Sequence, residues 1–202
     1  VDVLAALHAI DPADVGLAEL GRHDGYIARQ LRTWYGSWTA SAPLAEHDDP
    51  RVHELHALLS ARIPDQGPAR IVHGDYGPHN CLFSDVGVLT AVLDWEIATL
   101  GDPIADFAYS VNAWVEPGDV GVYGSDPPTA LPGFPSRREL IVRYASATGA
   151  DLSDLAYYRA FNHWKTGCIL IGVFARYRAG QKSSDGVDLD MLFSRIGASI
   201  DA

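Results

Sequence analysis

The chain has 202 residues, 48% of them hydrophobic, enough to bury one core and fitting a single domain or one large lobe. Its 26 acidic against 15 basic side chains leave a formal charge of −11, the wrong sign for a nucleic-acid partner, because phosphate backbones need a basic surface. No long apolar run and no basic leader with a short apolar stretch occurs, so neither a membrane span nor a secretion signal is expected. Cys81 and Cys168 match no metal or redox spacing, and reduced thiols in a cytoplasmic protein are the expectation.

Val1 to Ala9 reads as a short apolar-rich helix that starts without a polar lead-in, as if cut from something longer. Asp24 to Trp38 carries Tyr26, Ile27, Leu31, Trp34 and Trp38 at helical spacing, an aromatic stripe that suits a core. Pro50 to Ile63 is a second amphipathic helix, stopped by Pro64. His53 and His56 lie three apart on it, but no third metal ligand accompanies them. Arg70 to His73 and Cys81 to Ser84 are short strand-like runs, Asp85-Val86-Gly87 is a turn, and Val88 to Leu93 returns as a strand. Pro103 to Ala113 is helical, with Asp102 as its N-cap.

Residues 115–135 hold five prolines and four glycines, which forbids regular structure through most of them. They read either as an acceptor-side loop or as disorder. Gly118, Gly121 and Gly124 have the wrong spacing for a nucleotide-binding glycine loop. Ser136-Arg137-Arg138-Glu139 is a capping box for a helix to Thr148, with Gly149 at its exit. A long helix follows from near Asp151 or Ser153 to Ala179, and Val187 to Ile200 makes the last one. Gly167 and Gly172 inside the long helix imply close helix packing. The expected fold is mainly α, about seven helices around one small β-hairpin.

The chemistry concentrates in Ile71 to Asn80 and Ala91 to Glu96. Asp75 and Asn80 have the D-x-x-x-x-N spacing of a protein-kinase catalytic loop, with His73 two residues ahead and Gly74 where that loop has Arg. In that loop the Asp accepts the proton of the attacking hydroxyl and the Asn gives an oxygen to magnesium. A hairpin centred near Val86 places residue 80 opposite residues 92 to 94, so Asn80 and Asp94 should emerge together beside Asp75. Three oxygen-bearing side chains at a strand end suit a magnesium-phosphate site. Glu96 either reaches the metal through water or is a solvated carboxylate. His73 is expected to be a hydrogen-bonded structural residue.

His73-Gly74-Asp75 with Asn80, Leu93-Asp94-Trp95-Glu96, Gly101-Asp102-Pro103 and Asp106-Phe107-Ala108 resemble the aminoglycoside phosphotransferase / choline kinase family. Leu4 to Asp11, Val15 to Leu17, the Trp34–Trp38 helix and Gly172 to Tyr177 are similar to its acyl-CoA-dehydrogenase-associated subgroup. The resemblance implies a protein-kinase-like fold, ATP and Mg2+ as cofactors, Asp75 as catalytic base, Asn80 and Asp94 as metal and cofactor ligands, and Asp106 as a buried brace of the catalytic loop. It also implies an acceptor bearing a hydroxyl group, tilted toward hydroxylated acyl or other metabolic molecules.

A kinase site further needs a phosphate-covering loop and a lysine. Residues 1–70 hold no glycine-rich loop, and the first lysine is Lys165. Residues 1–202 are therefore expected to be the C-terminal, catalytic-base and substrate-binding lobe alone, without the N-terminal nucleotide-binding lobe and inactive in isolation. The bare face would meet that lobe or self-associate. The alternative expectation is a non-catalytic binding or interaction module.

Overall fold

The computed structural model describes residues 1–119 and 128–202. Among them are seven α-helices and two small antiparallel sheets. No helix among the described residues is long and apolar enough to cross a membrane. They group into two compact units, one of residues 1–26, 65–118 and 128–159, the other of 27–64, 119 and 160–202.

The first unit begins with α1 (Asp2–Ala9). Eight residues are too few to hold a helix in water alone, and α1 is secured by packing on α5 and β1. An Asp2–Arg143 ion pair adds a tie at its start. Strand β1 (Arg70–Val72) leads into the candidate loop, and β2 (Cys81–Phe83) pairs with β3 (Leu89–Val92) as the expected hairpin. The second pairing was not legible beforehand: β4 (Thr99–Gly101) runs antiparallel to β1, Ile71 opposite Leu100. Residues 73–98 are thus one excursion whose entry and exit are stapled together.

Helix α4 (Pro103–Ala113) starts where expected, with Asp102 accepting from Ile104 N and Pro103 in the first turn. Helix α5 (Arg137–Thr148) has the full capping box of Ser136 and Glu139, and Gly149 ends it at φ 70°. Phe107 of α4 stacks on Tyr144 of α5 with ring centroids 3.8 Å apart. Leu4, Val72, Leu100, Phe107 and Val111 complete this core. Residues 120–127 of the expected 115–135 loop, with Gly121 and Gly124, lie outside the described residues. The flanks are anchored: Trp114 Nε1 donates to Pro135 O, and the Thr129 hydroxyl bridges Val115 N and O.

The second unit holds most of α2 (Tyr26–Ala45), α3 (Pro50–Ala61), α6 (Leu155–Arg178) from residue 160, and α7 (Leu189–Asp201). Helix α2 runs past the expected end at Trp38 and through Pro43. A proline there removes one backbone bond near a helix end, while burial of Trp38, Ala42 and Ala45 keeps the helix going. Helices α3, α6 and α7 begin or end within a few residues of expectation. Gly167 allows a close approach, since a Cβ there would stand 2.7 Å from Ile200 Cδ1 of α7. At Gly172 the nearest atom, Ser41 Oγ, would be an ordinary 3.5 Å away.

Candidate active site

Every candidate residue falls in the first unit. The chain leaves β1 at Val72, and Gly74 turns it at φ 87°. A Cβ on Gly74 would meet Ile97 Cδ1 at 3.0 Å and Ile97 O at 3.4 Å, which explains why no arginine follows His73. We expect Gly74→Ala to cost about 1–3 kcal/mol from backbone strain and crowding, measured as a lower midpoint in denaturant. An unchanged midpoint would contradict that account.

Asp75 lies just beyond this turn. Its Oδ1 is 3.2 Å from His79 Nε2, and its Oδ2 accepts from Asn80 Nδ2 at 3.2 Å. The Tyr109 hydroxyl on α4 also bonds the carboxylate. Partial burial pushes the Asp75 pKa up, but the bonds from His79, Tyr109 and Asn80 outweigh it and hold the group below the ordinary carboxylate range. Asp75 is therefore ionised at neutral pH. His79 is raised in turn, first by its bond to Asp75, against burial and with the Asp94 charge adding to it.

Asn80 ends a short helical turn, Pro78–Asn80, and is 8% exposed. Both its side-chain bonds leave through Nδ2, to Asp75 O and Oδ2. The carboxamide oxygen is thus spent on no protein donor among the described residues. Asn80 O accepts from Leu93 N at 2.8 Å, continuing the hairpin one step beyond Cys81 opposite Val92. Asp94 follows directly, exposed and in the left-handed region at φ 66°. Asp tolerates that region better than most residues, and such strain collects at functional sites.

His73 is fully buried and ties the two halves together. Its Nδ1 accepts from Asp75 N, so Nε2 carries the proton donated to Leu93 O at 2.8 Å. Trp95 lies over it with centroids 4.8 Å apart. Asp106, one turn into α4, accepts from His73 N and Gly74 N, both at 2.8 Å. Burial drives its pKa up, but bonds from His8, His73 and Gly74 win and leave it below the usual range. Glu96 sits exposed in the turn Trp95–Ile97, with no bond to Asn80 or Asp94 among the described residues.

The structure brings together Asp75, Asn80, His73 and Asp106 by direct bonds, and Asp94 through Leu93. Four participants were not singled out from sequence: His79, Tyr109, His8 and Tyr144. For His79 a signal existed, four residues after Asp75 inside the motif itself. The other three meet the loop only through the fold.

A carboxamide oxygen and a carboxylate oxygen are the donor types a hard cation takes. No three His, Cys, Asp or Glu side chains among the described residues could hold a metal by themselves. Magnesium, where it binds proteins, keeps waters and substrate phosphates and uses one or two protein oxygens. A cavity of ≈ 650 Å3 is lined by Tyr76, Gly77 and Pro78 of this loop, by Ser110 and Trp114 of the neighbouring helix segment, and by Phe134. Its volume suits a small molecule.

A buried brace, a loop carboxylate and a hairpin-aligned Asn–Asp pair in a mainly helical unit define a kinase-like phosphotransferase. The chain belongs to the phosphotransferase enzyme family, whose model matches residues 1–158. It is similar to a crystal structure of a candidate aminoglycoside phosphotransferase from Ralstonia eutropha JMP134, with a TM-score of 0.76 and 30% identity, covering 100% of this chain and 63% of that one. It is also similar to acyl-CoA dehydrogenase family member 11 of Gallus gallus, 34% identical over 193 residues, and to family member 10 of Mus musculus, 32% identical over 186. These matches cover 92% and 90% of this chain but 24% and 17% of those proteins, so the chain spans at most about a quarter of their length.

Proposed function

We propose that this chain carries the base and metal half of an ATP- and Mg2+-dependent phosphotransferase that acts on a hydroxyl of a small molecule. The supporting observation is the ionised Asp75, bonded to Asn80, with Asn80 O fixing the strand that delivers Asp94. Asp75 takes the proton of the acceptor hydroxyl as the hydroxyl oxygen bonds to the γ-phosphorus and the bridging bond to the β-phosphate breaks. His79 and Tyr109 hold the carboxylate ionised and aimed, and Asp106 fixes the backbone from which it projects. Asn80 Oδ1 and an Asp94 oxygen are the groups that would hold the metal, and the exposed Glu96 would either reach it through water or stay solvated. Mg2+, when bound, neutralises charge on the β- and γ-phosphates.

The reading assigns the phosphate-covering loop and its lysine to a second, nucleotide-binding lobe that these 202 residues do not supply. The hairpin exposes Leu82, Phe83, Val86 and Val88, apolar side chains that such a lobe would help to cover. Nucleotide at one hundred times its Kd stabilises a protein by about 2.7 kcal/mol. We therefore expect a thermal shift with millimolar Mg-ATP when the second lobe is present, lost in Asn80→Ala and Asp94→Ala. A two-lobed form that shows no shift would instead favour a non-catalytic kinase-like binding module.

A further inference from the structure

The Asp75 side chain is 30% exposed, so water reaches it. An ionised carboxylate offers about four lone-pair places. Among the described residues three donors take one each: His79 Nε2 on Oδ1, Asn80 Nδ2 on Oδ2, and the Tyr109 hydroxyl. About one place is left for the hydroxyl of an acceptor. Of the three donors His79 alone is exposed; Tyr109 is half-buried and Asn80 buried. Because the carboxylate only accepts, His79 Nε2 carries a proton whether the ring is neutral or charged. The ring reaches Oδ1 by lying against Gly77. The turn Pro78–Asn80 folds the chain back, and a Cβ on Gly77 would stand 2.5 Å from His79 Cε1 and 2.7 Å from Nδ1. A side chain at position 77 would therefore push the ring off Asp75.

We propose that Gly77 and His79 together guard the base against wasteful hydrolysis of ATP: the imidazole fills the place on Asp75 Oδ1 that water would take, and the carboxylate is kept for the acceptor hydroxyl. This rests on Asp75 being the base of the proposed phosphotransferase. Water is smaller and far more abundant than any acceptor, and a base with two open places would deprotonate it. In that side reaction the water oxygen bonds to the γ-phosphorus, its proton passes to Asp75, and the bridging bond to the β-phosphate breaks, giving ADP and phosphate. His79 is thus a specificity residue that acts through Asp75, and Gly77 is the seat that lets its ring lie there.

The test needs no acceptor. With the nucleotide-binding lobe present and Mg-ATP supplied alone, phosphate release should rise about tenfold in His79→Ala and in Gly77→Ala, a part of the roughly two to four decades that a positioned base contributes. The double variant should rise no further, because the two residues act as one unit. Gln places an amide donor near the Nε2 position and Asn only near that of Nδ1, so His79→Gln should stay near the wild-type rate and His79→Asn should follow His79→Ala. Adding Asp75→Asn to His79→Ala should abolish the gain. A purely structural loss would lower phosphate release rather than raise it. In the 202-residue chain, without turnover, His79 Hε1 should give a nuclear Overhauser contact to the Gly77 α-protons. No rise in His79→Ala, equal rates in the Gln and Ala variants, a gain that survives Asp75→Asn, or no contact between His79 and Gly77 would each overturn the proposal. An unmutated two-lobed protein with no thermal shift in Mg-ATP would overturn the phosphotransferase reading and this proposal with it, whereas a normal shift without the gain would overturn this proposal alone.

Discussion

Asp75→Ala is expected to lower kcat by about two to four decades, the usual contribution of a positioned general base, and to leave the affinity for Mg-ATP within about threefold. Asp75 touches His79, Tyr109 and Asn80, while the proposed metal oxygens belong to Asn80 and Asp94, so base and nucleotide functions separate. Asp75→Asn is the sharper variant. Its carbonyl still accepts a hydrogen bond and its shape is kept, but it takes no proton at neutral pH. Single-turnover kinetics with thermal-shift titration of Mg-ATP checks both. A variant that transfers phosphate at the wild-type rate would remove Asp75 from the role of base.

Asp106→Ala is expected to destabilise the fold strongly. It strands the His73 and Gly74 amides and the His8 Nε2 donor in a buried setting, each at about 1–3 kcal/mol, a total near or above 3 kcal/mol. At 150–250 residues that is a fall of roughly 10 °C in melting temperature. The folded pKa of Asp106 lies below its unfolded value, so its stabilisation is fully present above the unfolded pKa, about 3.9, and is lost as pH falls through the folded pKa. The wild-type chain should therefore lose stability below about pH 4 more steeply than Asp106→Ala. Asp75 contributes in the same direction, weakened by its partial exposure. Parallel acid limbs in the two proteins would show that Asp106 is not held ionised.

Elements set by local chemistry were legible in the sequence. The capping box at Ser136, the Asp102–Pro103 start of α4 and the turn before Val88 each depend on residues within a few positions of one another, and each lies where expected. The hairpin register followed from the turn, which set residue 80 against residues 92 to 94, and the structure joins it to Leu93. Strand β4 was missed because three residues, Thr99 to Gly101, carry no period to detect; the pairing with β1 alone makes them a strand. The extension of α2 through Pro43 was missed because local propensity argues against it and only burial of Ala42 and Ala45 opposes that. The candidate site divides in the same way. Asp75, Asn80 and Asp94 announce themselves by spacing, whereas His8 meets Asp106 across 98 positions, and nothing in Leu7-His8-Ala9 marks that histidine as a partner.

Leu93 is gripped on both sides, its N–H by Asn80 O and its C=O by the His73 ring. Swinging Asp94 out of the site would break both bonds together, about 2 kcal/mol at ordinary strengths, leaving roughly one molecule in thirty with the carboxylate turned away before any other contact is counted. On the proposed function, this half of the site would therefore be held in one shape by the two Leu93 bonds. Activity would be governed by the arrival of nucleotide and acceptor rather than by a loop that switches, and small molecules that depend on a displaced aspartate would find little to bind.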